Sequence, residues 1–122
     1  MKTSRREFLK VMGSAAALAG PAPAADRKIG YCIVGLGRIS MNQFMPGLQI
    51  AQHSKLVALV SGDRGKAEKQ ADKYGVPHKN IYDYKNYDAI AGNPEIDAVY
   101  IALPNNMHAE YTLRAAKAGK HV

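Results

Sequence analysis

The sequence contains no tryptophan and only one cysteine, Cys32, among its 122 residues. A single cysteine excludes a disulfide within the chain, so the fold cannot depend on an internal covalent cross-link. No cysteines and histidines have the spacing of a metal site, and no metal ligand is assigned. Because Cys32 lies within an apolar segment, we expect it to be a small buried hydrophobic residue.

Acidic residues are also scarce, ten against seventeen lysines and arginines, which gives a net charge of +7. Three of these charges lie in residues 1–24, so the rest of the chain is only modestly basic. This balance suits an anionic ligand, but an ordinary basic surface shows it too. No basic run is interleaved with aromatic residues, which argues against nucleic-acid binding. The composition, 47% hydrophobic and 22% charged, indicates one small globular domain.

Long apolar runs are missing as well: residues 11–25 are uncharged and rich in alanine, but number only fifteen. A membrane-spanning helix needs about 20 apolar residues, so this stretch favours a signal peptide over an anchor. It follows Arg5 and Arg6 and the apolar pair after them, which resemble the twin-arginine export signal of bacteria. Small residues at Ala22 and Ala24 suit a signal peptidase.

We therefore predict that residues 1–24 are a signal peptide that the twin-arginine export machinery recognises. Cleavage would leave residues 25–122 in the periplasm with no membrane anchor. A basic amphipathic helix is the alternative, but two glycines and two prolines within this segment argue against a long helix. Twin-arginine systems carry folded proteins, so a cofactor would be bound before export and retained.

The motif that organises the remaining chain is a glycine turn after an apolar strand. Gly35 would permit a tight turn, and Gly37 would let the backbone approach a pyrophosphate at the start of a helix. The third glycine of G-x-G-x-x-G is replaced by Ser40, which is small enough for helix–strand packing. The pattern predicts a dinucleotide-binding unit, and a strand–turn–helix without a ligand remains the alternative.

Strand and helix patterns alternate along the rest of the chain. The predicted strands are 29–34, 55–61, 81–82 and 96–103, with a further one beginning at 120–122, and the predicted helices are 40–52, 63–74, 83–91 and 107–118. Pro46 should interrupt the first helix. This alternation predicts an α/β fold with a doubly wound parallel sheet, the Rossmann NAD(P)-binding architecture.

The end of the second strand bears on the choice between NAD and NADP. In an NAD site a carboxylate here bonds the ribose, whereas this chain has Ser61, whose hydroxyl can donate to a 2′-phosphate. Arg64 and Lys66 follow within one turn and could supply the countercharge, or could be a solvated helix face. Asp63 could bond a ribose hydroxyl or cap the helix. The charge placement favours NADP.

Four segments together resemble the Gfo/Idh/MocA oxidoreductase family. They are Gly35-Leu36-Gly37, Val60-Ser61-Gly62, Ile81-Tyr82-Asp83-Tyr84, and residues 97–110 with Pro104-Asn105-Asn106-Met107-His108. The resemblance covers residues 27–122 and extends to the style of the leader. It implies a Rossmann domain, incomplete at its C-terminal end, that binds a nicotinamide dinucleotide.

The resemblance assigns roles to matching positions of this chain. The backbone from Gly35 through Leu36, Gly37 and Arg38 to Ile39 would lie along the pyrophosphate. Ser61 and Lys66 would hold the 2′-phosphate end, with Tyr84 contacting the cofactor. Near the nicotinamide half would lie Leu103, Pro104, Asn105 and His108. For His108 a structural hydrogen-bonding role is the alternative.

The family's catalytic lysine lies in a Glu-Lys-Pro motif that would follow Val122, and its sugar pocket in a second α/β domain. We therefore assign no catalytic residue in this chain and expect it to be inactive alone. For the full-length protein the resemblance implies an NADP-dependent oxidoreductase that transfers hydride between sugars through tightly bound coenzyme. It also implies a homo-oligomer. The alternatives are a sugar or inositol dehydrogenase with exchangeable NAD(P), and a non-catalytic nucleotide-binding module.

Overall fold

A parallel sheet of four strands organises residues 27–122, the part of the chain that the computed structural model describes. The strands are β1 (Ile29–Val34), β2 (Ser54–Val60), β3 (Ile81–Tyr82) and β4 (Ala98–Ile101), in the spatial order β3-β2-β1-β4. All three strand pairings are parallel. The predicted signal peptide, residues 1–24, lies outside the described residues.

Helices cover both faces of this sheet. They are α1 (Met45–Ile50), α2 (Arg64–Tyr74) and α3 (His108–Lys117), with 3-10 helices at His78–Asn80, Tyr87–Gly92 and Asn105–Met107. On one face α1 and α2 pack against Ile33 and Leu59. On the other, α3 and the 3-10 helix Tyr87–Gly92 pack against Cys32 and Val34. Two apolar layers around a parallel sheet confirm the predicted doubly wound Rossmann fold.

The first helix is interrupted, as predicted, but by a widened turn before the proline. Residues Ser40–Phe44 form a π-helical turn in which the Met45 N–H donates to the Ser40 carbonyl, a step of five residues. Pro46 has no N–H to donate, so the regular four-residue pattern cannot be continuous here. α1 then ends at Ile50, two residues before the predicted boundary.

The predicted helix over residues 83–91 was wrong in its start and its type, because a 3-10 helix begins only at Tyr87. The preceding residues form a turn held by side chains. The Asp83 carboxylate accepts hydrogen bonds from the backbone N–H groups of Lys85 and Asn86, and the Asn86 amide oxygen accepts one from the Asp83 N–H. These bonds compete with helical ones and delay the helix.

A single parallel bridge joins His121 to Ala98 of β4, within residues 120–122, where the sequence predicted that a further strand begins. The Val99 N–H donates to the His121 carbonyl at 2.7 Å, and the His121 N–H donates to the Asp97 carbonyl at 3.1 Å. β4 itself is shorter than the predicted 96–103. Within residues 27–122, no helix combines the length and apolar character that crossing a membrane requires.

Candidate dinucleotide-binding site

The turn after β1 brings together the carboxyl ends of three neighbouring strands. The Gly35 N–H donates to the carbonyl of Val60 in β2 at 2.9 Å, and the Ala102 N–H, just beyond β4, donates to that of Val34 at 2.9 Å. Gly35 has φ +95°, and a Cβ there would lie 2.8 Å from the Ala102 carbonyl oxygen. The first glycine is therefore required by the fold itself.

Gly37 differs from Gly35, because a Cβ there would meet nothing within 4 Å. Its carbonyl accepts the Met41 N–H at 3.0 Å, so the helical hydrogen bonds start at this residue. Leu36 is buried, whereas Gly37, Arg38 and Ile39 are exposed. The first amides of a helix have no acceptor within it, and its dipole favours negative charge there. The open side of Gly37 fits the close approach of a pyrophosphate.

Ser40 is fully buried where the glycine motif has its third glycine. Its hydroxyl donates to the Gly35 carbonyl at 2.6 Å. The sequence predicted only that a small residue would fit here. The hydrogen bond is an additional link between the helix and the turn, and nothing in the spacing of the motif indicates it.

At the end of β2, Ser61 is buried and its side chain closes a turn. The Ser61 hydroxyl accepts the Asp63 N–H at 3.1 Å and lies 3.3 Å from the Asp63 carbonyl oxygen, to which it donates. The Asp63 carboxylate caps α2 by accepting the Lys66 N–H at 3.0 Å. Of the two roles open to Asp63, the structure therefore shows helix capping. The strand end presents a hydroxyl and not a carboxylate.

The two cations near Ser61 have different surroundings. The Arg64 guanidinium pairs with Glu68 at 2.9 Å and lies 3.4 Å from the Ile81 carbonyl oxygen. Its hydrogen bonds therefore go to Glu68 and to backbone carbonyls at and before β3, and not to the Ser61 hydroxyl. An exposed ion pair of this kind contributes less than about 1 kcal/mol. Lys66 lies in the first turn of α2 and is half-buried.

The ring of Tyr84 packs beside the end of β2. It lies 3.3 Å from the position of a Cβ on Gly62. The Tyr111 ring of α3 meets the Tyr84 ring edge-on, with 5.4 Å between centroids. Partial burial raises the pKa of Tyr84, and the neighbouring Tyr111 raises it by a smaller amount, so the phenol stays protonated at neutral pH. The structure brings Ser61, Gly62 and Tyr84 to one corner of the sheet edge.

The segment after β4 carries the remaining predicted site residues. Leu103 is buried beside Gly35, whereas Pro104 and Asn105 are exposed. The Nε2 of His108 lies 2.6 Å from the Leu103 carbonyl oxygen. Since a carbonyl only accepts, Nε2 carries the proton. His108 therefore has the structural hydrogen bond that was one of its two predicted roles, and it shapes the turn between β4 and α3.

The sheet edge can hold an anionic ligand with backbone N–H groups, one hydroxyl and one lysine. Within residues 27–122 no cluster of histidine, cysteine, aspartate or glutamate could hold a metal ion. Strands β1, β2 and β4 all end at this edge, where open α/β sheets bind their ligands. These features define a Rossmann dinucleotide-binding domain.

A family model described as an oxidoreductase family with an NAD-binding Rossmann fold matches residues 29–122. The chain belongs to this family, the Gfo/Idh/MocA oxidoreductases, which confirms the resemblance seen in its motifs. It spans about a quarter to three tenths of the length of the relatives described next.

Three relatives illustrate the range of the family. The crystal structure of an aldose–aldose oxidoreductase from Caulobacter crescentus is 45% identical, with a TM-score of 0.77 over 79% of this chain and 29% of that one. The apo scyllo-inositol dehydrogenase of Lactobacillus casei is 30% identical, with a TM-score of 0.68 over 80% and 28%. A D-xylose 1-dehydrogenase (NADP(+)) of Haloferax volcanii is 36% identical over 75% of this chain and 27% of its own length.

Proposed function

We propose that the full-length protein is an exported sugar oxidoreductase of the glucose–fructose oxidoreductase type that binds NADP(H) tightly. In such a reaction an aldose is oxidised to its lactone, and a ketose or a second aldose is reduced, with the coenzyme retained between the two steps. The 45% identity to an aldose–aldose oxidoreductase supports this class of reaction. The bound nicotinamide would supply hydride transfer, while residues 27–122 would bind and orient it.

The observation that carries the choice of NADP is the pair of roles taken by Ser61 and Asp63. The Asp63 carboxylate is committed to the α2 backbone, so it does not occupy the end of β2. The Ser61 hydroxyl can turn its hydrogen from the Asp63 carbonyl to a phosphate oxygen while still accepting the Asp63 N–H. Lys66 supplies a positive charge within one helical turn.

The other site residues would hold the rest of the coenzyme. The backbone from Gly35 to Ile39 would bind the pyrophosphate, and Tyr84 would lie against the adenosine half. Leu103, Pro104 and Asn105 would form the floor below the nicotinamide, with His108 fixing their turn through the Leu103 carbonyl. Arg64 would reach the 2′-phosphate only by leaving Glu68. The substrate pocket and the proton-transferring lysine would lie in the rest of the full-length protein.

Purification of the full-length protein without added nucleotide tests this proposal. We expect the protein to retain nucleotide through extensive dialysis, and acid release followed by separate enzymatic assays to identify it as NADP(H). Turnover of an aldose with a ketose or second aldose, without added coenzyme, should then be measurable. Protein that is purified empty and requires added NAD(P) for turnover would instead be a dehydrogenase with exchangeable coenzyme. Absence of nucleotide binding would overturn the proposal altogether.

A further inference from the structure

The hydroxyl of Ser40 makes a contact that packing alone does not require. In the glycine motif the third glycine serves close helix–strand packing, for which small size is enough. Here the side chain is fully buried and donates a short hydrogen bond of 2.6 Å to the Gly35 carbonyl. The bond crosses from the first helical turn back to the residue where the backbone turns.

Two hydrogen bonds fix the orientation of the peptide groups on either side of Gly35. The preceding peptide donates its Gly35 N–H to the Val60 carbonyl at 2.9 Å. The following peptide directs its Gly35 carbonyl to the Ser40 hydroxyl. A glycine with φ +95° has more backbone freedom than other residues, so this is where two such restraints have the most effect.

The Ser40 hydrogen bond also determines where the Leu36 N–H points. In a planar trans peptide the C=O and N–H point in opposite directions, so a Gly35 carbonyl directed at Ser40 turns the Leu36 N–H away from it. Among the hydrogen bonds of residues 27–122, none gives this N–H a backbone acceptor. The amides that follow, from Gly37 onwards, lie on the exposed side of the turn.

We infer that Ser40 is a positioning residue for the pyrophosphate of the dinucleotide. Its hydroxyl holds the Gly35–Leu36 peptide in the orientation that presents the turn's amides to the phosphates, before the ligand arrives. Such preorganisation increases affinity because the turn need not be ordered on binding. The inference rests on the proposed function, since it assumes that this turn binds a dinucleotide.

Two variants of the full-length protein, freed of retained nucleotide, test this role. Ser40→Ala removes the hydroxyl at nearly constant volume, and Ser40→Gly restores the glycine of the common motif. Fluorescence titration gives the Kd for NADPH, and competition with NADPH gives the Kd for 2′-AMP, which has no pyrophosphate. We expect both variants to bind NADPH about tenfold more weakly, the equivalent of one lost hydrogen bond. The Kd for 2′-AMP should change by less than about twofold.

The remaining outcomes separate this inference from the proposed function. Equal NADPH affinity in wild type and variants overturns the role of Ser40 and leaves the function intact. A parallel loss for NADPH and 2′-AMP overturns it too, because it indicates general damage to the domain. If neither variant gives soluble protein, the hydroxyl is required for folding and the inference is wrong as stated. A wild-type protein that binds no NADPH refutes the proposed function itself.

Discussion

Gly35 lies so close to the end of β4 that a Cβ on it would be 2.8 Å from the Ala102 carbonyl oxygen. The backbone carbonyl cannot move aside without disturbing the sheet, and φ +95° is itself unfavourable for alanine. We therefore expect Gly35→Ala to lower the free energy of unfolding by at least about 1–3 kcal/mol. Chemical denaturation of the full-length protein measures this loss, and unchanged stability would contradict it.

Gly37→Ala is the matched control, since the added methyl group would meet no atom within 4 Å. We expect its stability to stay within about 0.5 kcal/mol of wild type, as for most exposed substitutions. Its affinity for NADPH should fall, because the methyl group would occupy the space into which the pyrophosphate approaches. The two glycines of one motif would thus have different roles: Gly35 would be required for folding and Gly37 for ligand binding. Loss of stability in both variants would refute this division.

The glycine motif and the strand–helix alternation were enough to predict the sheet, because both depend on local sequence and burial. The β1 segment is apolar enough to be buried on both faces, as a central parallel strand is, and its last three residues are buried. Gly75 ends α2 with φ +73°, as a helix-terminating glycine should. Burial of Cys32 also followed from its apolar neighbours. Its pKa is raised to about 12 by burial, which makes it an unreactive thiol.

Features that depend on side-chain contacts between distant residues were not predictable. β2 contains a bulge at Val57, whose carbonyl accepts a hydrogen bond from the Asn80 side chain at 2.9 Å. Asn80 is far along the chain, and no local pattern marks it as the partner of a bulge. The Ser40 hydrogen bond spans only five residues and the Arg64–Glu68 ion pair only four. Neither was predicted, because the sequence pattern does not specify which rotamer these side chains adopt.

Ser61→Asp should shift the coenzyme preference from NADP towards NAD. The variant replaces a hydroxyl that can donate a hydrogen bond to the 2′-phosphate by a carboxylate. The carboxylate repels the 2′-phosphate of NADP and accepts a hydrogen bond from the ribose hydroxyl of NAD. We expect the ratio of Kd values, NADPH over NADH, to rise by about tenfold or more, the equivalent of one charged hydrogen bond. Asp63→Asn is the control, since asparagine also caps helices and should leave the ratio unchanged. An NADPH affinity in Ser61→Asp equal to that of wild type would refute the assignment of Ser61 to the 2′-phosphate.

Asp97 should make the fold sensitive to acid. Burial opposes its ionisation, but hydrogen bonds from the Gly30 N–H at 2.8 Å and the Arg27 guanidinium at 2.9 Å outweigh this effect and lower the pKa of Asp97. A carboxyl whose pKa is lower when folded stabilises the fold above its ordinary pKa of 3.8, and this contribution is lost as the pH falls below that value.

We therefore expect Asp97→Asn to destabilise the protein at neutral pH and to reduce the loss of stability between neutral and acid pH. Thermal unfolding as a function of pH measures both effects. Arg27→Met removes one of the two partners and should act in the same direction by a smaller amount. A pH dependence in Asp97→Asn as steep as that of wild type would show that other groups control acid unfolding.

The export prediction depends on Arg5 and Arg6 as guanidinium groups and not only as positive charges. Arg5→Lys/Arg6→Lys keeps the charge of the leader but removes the planar donors, which lysine cannot reproduce. We expect this double variant to accumulate in the cytoplasm with its leader uncleaved, as seen by cell fractionation and the mass of the protein. Lys2→Gln/Lys10→Gln, which removes two charges and keeps both arginines, should still reach the periplasm. Periplasmic protein from the double-lysine variant would contradict the twin-arginine route. It would leave the proposed nucleotide site standing, because that proposal rests on contacts among residues 27–122.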